Sequence, residues 1–295
     1  MKEKIRIIVN PVSGSGRRKK ALKMIDQHLD RNKFDFDLVK TEYHRHAVEL
    51  TQEAVNDGCK AVVIAGGDGS INEVGATLAG TGVALGIIPA GSGNGLSRSL
   101  SIPMNPKKAV ENINNFKFRT IDTGLANDTA FMNIAGVGFD AAVADAFHKQ
   151  KLRGLFKYFV LGIKLLLNYE MQTYHIKADG REFDRKAYQI ALANSSQYGN
   201  DALVAPKAKV DDGVLNAVVL NPMPFSHMLL NFYRLFQGTL HQSKYIKTFK
   251  FKEMTIMQER NDVAHLDGDP FELGEEVNIK INPMSLKVIV PNGKE

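Results

Sequence analysis

A single cysteine, Cys59, stands in 295 residues. It excludes an internal disulfide and cannot alone build a thiolate zinc cage, so a reducing compartment such as the cytoplasm is expected. Long apolar runs are also missing. No stretch reaches the ~18 residues that mark a membrane-spanning helix. The N-terminus leads directly into the strand-like run Ile5-Arg6-Ile7-Ile8-Val9, so no secretory signal is expected. There is no CxxC pair, no long basic block and no aromatic RNA-binding motif, which sets nucleic acid aside as a partner. Charge of one sign is only slightly in excess. A formal +6 and a pI near 9.2 favour anionic partners such as nucleotides or an anionic bilayer surface.

What is there has globular composition. Hydrophobic residues at 44% and charged residues at 24% give no reason to expect disorder, and the length accommodates two domains. Up to about Asp122, strand and helix signals alternate. Ile5 to Val9, Phe34 to Val39, Ala61 to Ala65 and Ala84 to Ile88 read as strands. Between them Ala21, Leu22, Ile25 and Leu29 recur at helical spacing, and Ala47 to Val55 and Ile71 to Leu78 read as helices. Alternation of this kind predicts a parallel sheet with helices on both faces.

Beyond Asp122 strand signals dominate: Ala130 to Val137, Tyr174 to Ala178, Tyr188 to Ala193, Val214 to Leu220, Thr248 to Met257 and Val277 to Ile281. Two helical stretches interrupt them, roughly 152–170 and Phe225 to Leu240. The expectation is an α/β nucleotide-binding domain over 1–124 and a mostly antiparallel domain over 125–285. Residues 286–295 are expected to return to the first domain.

Three glycine-rich loops follow strands of the first domain: Asn10 to Gly16, Gly66 to Ser70, and Gly91 to Gly95. In an open parallel sheet, ligands collect outside the carboxyl ends of the strands. Glycine lets backbone amides approach phosphate oxygens closely. Neither GxxxxGK[ST] nor GxGxxG is present, which argues against a P-loop enzyme and a nicotinamide dehydrogenase. Ser70 and Glu73 have the spacing of a capping box for the following helix. Asp68, a carboxylate between glycines at the end of a buried strand, has magnesium, its water shell or a phosphate-bound metal as natural partners.

The run Gly66-Gly67-Asp68-Gly69-Ser70-Ile71-Asn72-Glu73-Val74 resembles the GGDGT-x-NEV signature of the diacylglycerol kinase and sphingosine kinase catalytic family. Asn10-Pro11-x-Ser13-Gly14 resembles its first nucleotide loop and Pro89-Ala90-Gly91-Ser92-Gly93-Asn94 its P-x-GTxN loop. Gly136-x-Gly138-Phe139-Asp140 and Leu266-Asp267-Gly268-Asp269-Pro270 fit its second domain. The matches keep their order from Asn10 to Pro270, with the small soluble bacterial lipid kinases as the nearest members. Serine stands for the usual threonine at Ser70 and Ser92, and Asp269 for the usual glutamate.

The resemblance implies a phosphofructokinase-like α/β domain, then a β-sandwich-like domain, with ATP in the cleft between. It implies ATP contacts from Asn10, Pro11, Val12, Ser13, Gly14, Thr41, Gly66, Gly67, Asp68, Gly69, Ser70, Ile71, Asn72 and Ser92. It makes Asp267 the first choice for the group that accepts the hydroxyl proton, with Asp269 as rival or helper. Lys209-Val210-Asp211-Asp212-Gly213-Val214 resembles a segment that holds a structural magnesium through the Asp212 carboxylate and the carbonyls of Lys209 and Val214.

The implied activity is transfer of the ATP γ-phosphate to a hydroxyl of a membrane lipid such as diacylglycerol or a sphingoid base, with Mg2+. The enzyme would be cytoplasmic and meet an anionic membrane surface peripherally, and a homodimer is left open. Two apolar stripes read as core faces or interfacial helices: Leu155, Phe156, Phe159, Ile163, Leu166 and Leu167 with Lys157 and Lys164, and Met228, Leu229, Phe232, Leu235 and Phe236. The alternatives are a kinase of a soluble substrate of the NAD kinase type and a nucleotide-binding protein without catalysis.

Overall fold

The computed structural model describes residues 1–11, 15–149, 161–162, 164–165, 169–260, 264–272 and 274–291. Val12, Ser13 and Gly14 of the first loop lie outside the described residues, as do Leu155, Phe156, Lys157, Phe159, Ile163, Leu166 and Leu167. The chain divides into two compact units, Met1–Ile121 with Met284–Glu295, and Asp122–Pro283.

The first unit is a parallel sheet in the order β2-β1-β3-β4, formed by β1 Glu3–Val9, β2 Phe34–Lys40, β3 Ala61–Gly66 and β4 Ala84–Pro89. Every residue of β3 and β4 is buried, as expected of strands covered on both faces. On one face α1 (Ser15–His28) and α5 (Pro106–Asn115) set Ala21, Ile25, Val110 and Ile113 against Ile5, Ile7, Val63 and Ile88. Each large aliphatic side chain buried this way contributes about 1.5–3 kcal/mol. Two further helices, α2 (His46–Asn56) and α3 (Asp68–Leu78), pack on one another. Between β4 and α5 lies the short helix α4, Gly95–Ser99.

The expected capping box is not formed. Helix α3 starts at Asp68, with Gly67 at the N-cap and no side-chain cap, which places Ser70 inside the first turn. The start of a helix is set by backbone conformation, and Gly67 is the last extended residue.

The second unit carries two antiparallel arrangements. Strands β7 (Ile134–Gly138), β10 (Gln189–Ala193), β11 (Leu215–Leu220), β12 (Ile246–Phe251), β14 (Ala264–Leu266) and β15 (Asp269–Phe271) form a six-stranded sheet in the order β12-β11-β10-β7-β14-β15. Strands β8 (Gln172–Ala178), β9 (Arg181–Ala187) and β13 (Glu253–Gln258) pair successively with residues 276–280 of β16 (Glu276–Ile289). Tyr174, Ile176, Ile256 and Val277 from this group meet Val137, Ile190, Leu192 and Leu266 of the six-stranded sheet in one core, which makes the unit a sandwich. The later part of β16 belongs to the first unit, where Val288 pairs in parallel with Leu85 of β4.

Two strand expectations divide. The run Thr248 to Met257 is two strands, since Lys252 ends β12 and the Asp179 carboxylate accepts the amides of Lys252 and Glu253 at the break. The run Ala130 to Val137 is likewise split, into β6 (Thr129–Phe131) and β7, where the Asp267 carboxylate takes the intervening amides. Helix α6 (Phe139–Lys149) follows β7, and the last described α-helix, α7, is shorter than expected at Phe225–Gln237, because Gly238 adopts φ 66° and its amide turns back to Arg234.

Candidate active site

In the parallel sheet the carboxyl ends of β1, β3 and β4 point the same way, so the loops that follow them come together. Asn10 donates its backbone amide to Ala65 at 3.3 Å and its side-chain amide to Ser70 Oγ at 2.7 Å. Ala90 donates to Gly66 O at 2.8 Å, and Arg17 donates to Gly91 O. Thr41, buried at the end of β2, donates its amide to Val9 O. Ser92 is exposed, and Ile71 is buried in α3.

The glycines of these loops have a packing cause. A Cβ on Gly91 would come within 2.6 Å of Gly67 Cα, and one on Gly93 within 2.8 Å of Asp68 Oδ2. Two backbones approach closely enough to exclude a side chain between them, and Asp68 locks the approach. Its Oδ2 accepts the amide of Asn94 and its Oδ1 that of Gly95, both at 2.8 Å. Burial pushes the Asp68 carboxyl above its ordinary value, against the lowering effect of those amides. Asn94 sits at φ 54° and bonds Gly91 twice with its side chain. Asp68 is therefore first a clamp between the second and third glycine loops. The sequence points to its chemistry and not to this partner, because the partners are backbone amides.

The second candidate group lies on the hairpin of β14 and β15. Leu266 and Asp269 pair across a two-residue turn, in which Asp267 has φ 52° and Gly268 φ 93°. An Asp-Gly pair suits this turn because both positions take the left-handed region. The Asp267 carboxylate reaches back to β7 and its approach, with Oδ1 accepting the amides of Asn133 and Ile134 at 2.8 Å and Oδ2 that of Met132 at 2.9 Å. Burial raises the Asp267 carboxyl to about 6, while these three amides and His265 act in the lowering direction. Both oxygens of this carboxylate are engaged by main-chain amides of its own unit, so its hydrogen bonds are spent on the frame. Asp269, half-buried, is the first residue of the edge strand β15.

Sequence reasoning passed over a group behind the hairpin. His265, buried in β14, accepts the Gly268 amide at Nδ1 (3.3 Å), so its Nε2 carries the proton toward Asp140 Oδ2 (3.3 Å). Tyr198 donates to the same Asp140 oxygen at 2.8 Å. A Cβ on Gly136 would lie 2.5 Å from that oxygen and 2.6 Å from His265 Nε2, and Gly138 has φ 97°. The Gly-x-Gly-Phe-Asp run is thus the seat of the Asp140–His265 pair. The usable signal was a histidine two residues before Asp267.

The segment around Asp212 has the donor chemistry of a hard cation site. Asp212 Oδ2 accepts from Lys250 Nζ at 2.7 Å, while Oδ1 is buried without a partner. The Asp122 carboxylate accepts the Gly213 amide, and the Asp122 amide donates to Val210 O, which fixes the turn. An orphaned buried carboxylate oxygen fits a hard cation such as magnesium, which Asp212, Lys209 O and Val214 O would hold. Among the described residues no group of three or more His, Cys, Asp or Glu side chains is arranged to bind a metal.

The parallel α/β unit thus carries its glycine loops at the carboxyl ends of its strands, and the antiparallel sandwich carries a braced Asp-Gly-Asp hairpin. Two family models match these units. Residues 4–126 match the diacylglycerol kinase catalytic domain, and residues 133–290 match the YegS C-terminal NAD kinase beta sandwich-like domain. The chain is 29% identical to a diacylglycerol kinase of Mycobacterium tuberculosis, covering 98% of this chain and 95% of that one. It is 26% identical to a probable lipid kinase YegS-like protein of Chromohalobacter salexigens, over 83% of this chain and 81% of that one. A crystal structure of a diacylglycerol kinase from Bacillus anthracis shares the fold with a TM-score of 0.75 at 21% identity, covering 98% of this chain and 97% of that one. The chain belongs to the bacterial diacylglycerol kinase and YegS-like lipid kinase family.

Proposed function

We propose that this chain transfers the γ-phosphoryl group of ATP to a hydroxyl of a membrane lipid, with diacylglycerol as the first acceptor to test. The observation that most supports this reading is the bare backbone floor made by Gly66–Ser70 and Gly91–Gly95, closed by Asp68 on the amides of Asn94 and Gly95. Such a floor admits phosphate oxygens against main chain, where a side chain would hold them off. Asn10, Pro11, Val12, Ser13, Gly14, Thr41, Gly66 to Asn72 and Ser92 are the proposed ATP contacts. Magnesium is the proposed counter-ion for the phosphates, with Asp68 near it and Asp212 holding a separate structural ion.

In the transfer, the lipid oxygen bonds to the γ-phosphorus as the bond to the β-γ bridging oxygen breaks and ADP departs. The transition state is loose, so the base mainly orients the hydroxyl and takes its proton late. We assign that proton to Asp269. Asp267, held by three amides, braces the turn that presents Asp269, which reverses the order of preference drawn from sequence.

The family match of the first unit to a diacylglycerol kinase catalytic domain supports a lipid acceptor, while the NAD kinase likeness describes the sandwich. A lipid acceptor places the enzyme at the membrane surface as a peripheral protein. The test is ATP turnover against diacylglycerol in mixed micelles, a sphingoid base and NAD. Label transferred to a lipid is the expected result, and label transferred to NAD alone would overturn the proposal.

A further inference from the structure

Helix α7 keeps large apolar side chains on its solvent side. At about 100° per residue, Phe225, Leu229 and Tyr233 line one side of it, with Leu230 alongside. These four are exposed by 49%, 47%, 61% and 43% respectively. The only buried residue of the helix is polar: Asn231, whose amide donates to Met223 Sδ and whose Oδ1 has no partner. The sequence stripe that read as a core face is only half-buried at Met228, Phe232, Leu235 and Phe236, and Leu229 is exposed. Leu235 packs on the core of its unit, so the helix is apolar on both sides and one apolar side is left to solvent.

Charge in the chain segment that holds the helix is one-sided. From Gly213 to Lys252 the chain has Arg234, Lys244, Lys247, Lys250 and Lys252 and not one Asp or Glu. Lys244, Lys247 and Lys252 are exposed, whereas Lys250 pairs with Asp212. An apolar helix face in an acid-free basic stretch has the composition of an interfacial helix, whose binding adds buried apolar area to attraction for anionic lipid. A second copy fits worse, since a twofold contact through the same patch would bring two basic stretches together.

We infer that the outward face of α7, Phe225, Leu229, Leu230 and Tyr233, is the surface by which this protein docks on an anionic bilayer, with Lys244, Lys247 and Lys252 facing lipid headgroups. The inference rests on the lipid kinase reading, because an acceptor buried in a bilayer requires such a surface.

The test uses the full chain and vesicles of phosphatidylcholine with roughly a third phosphatidylglycerol, compared with phosphatidylcholine alone. Wild type is expected to float with the anionic vesicles and to be released by salt. The variant Phe225→Ser/Leu229→Ser/Tyr233→Ser should bind at least about tenfold more weakly with an unchanged unfolding midpoint, since the side chains removed are exposed. Lys244→Gln/Lys247→Gln/Lys252→Gln should lose binding to anionic vesicles only. The serine variant should still phosphorylate a short-chain diacylglycerol below its micellar concentration at the wild-type rate.

Wild-type vesicle binding by the serine variant, or no binding by wild type, would overturn the inference. So would a wild-type dimer that becomes monomeric in the serine variant while vesicle binding stays the same. If vesicle binding follows the variants but no lipid is phosphorylated, the docking surface stands and the kinase reading falls.

Discussion

Asp68 and Asp267 occupy similar sequence settings and do similar mechanical work in different surroundings. Each adjoins glycine at the end of a strand, and each accepts backbone amides, two for Asp68 and three for Asp267. Asp68 joins two loops whose backbones touch, Gly67 against Gly91, so its loss frees the two loops from one another. Asp267 joins a hairpin to its neighbouring strand, so its loss loosens a frame. The comparison teaches that an acidic residue among glycines marks a place where main chain must be held against main chain. Whether chemistry follows depends on what lies beside the clamp.

The largest effect is expected at the floor. Asp68→Ala should abolish ATP turnover in a folded protein, and Gly91→Ala should act in the same direction through its clash with Gly67. Such overpacking costs about 1–3 kcal/mol. Turnover and circular dichroism on both variants check this, and near-normal turnover by a folded Asp68→Ala protein would separate the clamp from nucleotide use.

At the hairpin the first cost should be stability. Asp267→Ala leaves three amides without their acceptor, at about 1–3 kcal/mol for each that water cannot reach. Urea unfolding should show a loss of about 3 kcal/mol or more, and an unchanged midpoint would show that the brace is idle.

A pH dependence sharpens the same contrast. The Asp267 carboxyl lies at about 6 in the folded protein against an ordinary 3.8. The folded state therefore holds this proton more tightly. Its stabilising contribution is complete below about 3.8 and is lost as pH rises through about 6, with a ceiling of about 3 kcal/mol. Measured across this window, stability of Asp267→Asn relative to wild type should improve as pH rises and level off above about 6. Parallel curves would remove the effect.

The smallest effect is expected behind the hairpin. His265→Asn keeps an acceptor near the Nδ1 position for the Gly268 amide and loses the bond to Asp140, whereas His265→Ala loses both. The expected order of kcat is wild type, then Asn, then Ala, with the KM for ATP unchanged. Equal losses in Asn and Ala would show that Asp140 is the partner that matters.

Much of this architecture was legible in the sequence because burial leaves a periodic trace. Ala61 to Ala65 and Ala84 to Ile88 are apolar throughout and are strands covered on both sides. The glycine loops were legible as loops, and their order pointed to the family. What was not legible depends on partners distant in sequence. The break at Lys252 is made by Asp179, the hold on the Asp267 carboxylate by amides at 132–134, and the His265 bond by Asp140. The exposed apolar face of α7 was hidden for a related reason, since its pattern gives the same periodicity whichever face is covered.

On the proposed mechanism the hairpin divides its work, with Asp267 as brace and Asp269 as proton acceptor. Single-turnover transfer of label from ATP to diacylglycerol, run side by side on Asp267→Asn and Asp269→Asn, tests it most directly. Asp269→Asn should slow transfer by about 10²–10⁴, the usual worth of general-base help, with ATP affinity and unfolding midpoint unchanged. Asp267→Asn should lower the midpoint and slow transfer less. A fully active Asp269→Asn enzyme, or the larger rate loss in Asp267→Asn with its stability intact, would contradict the account.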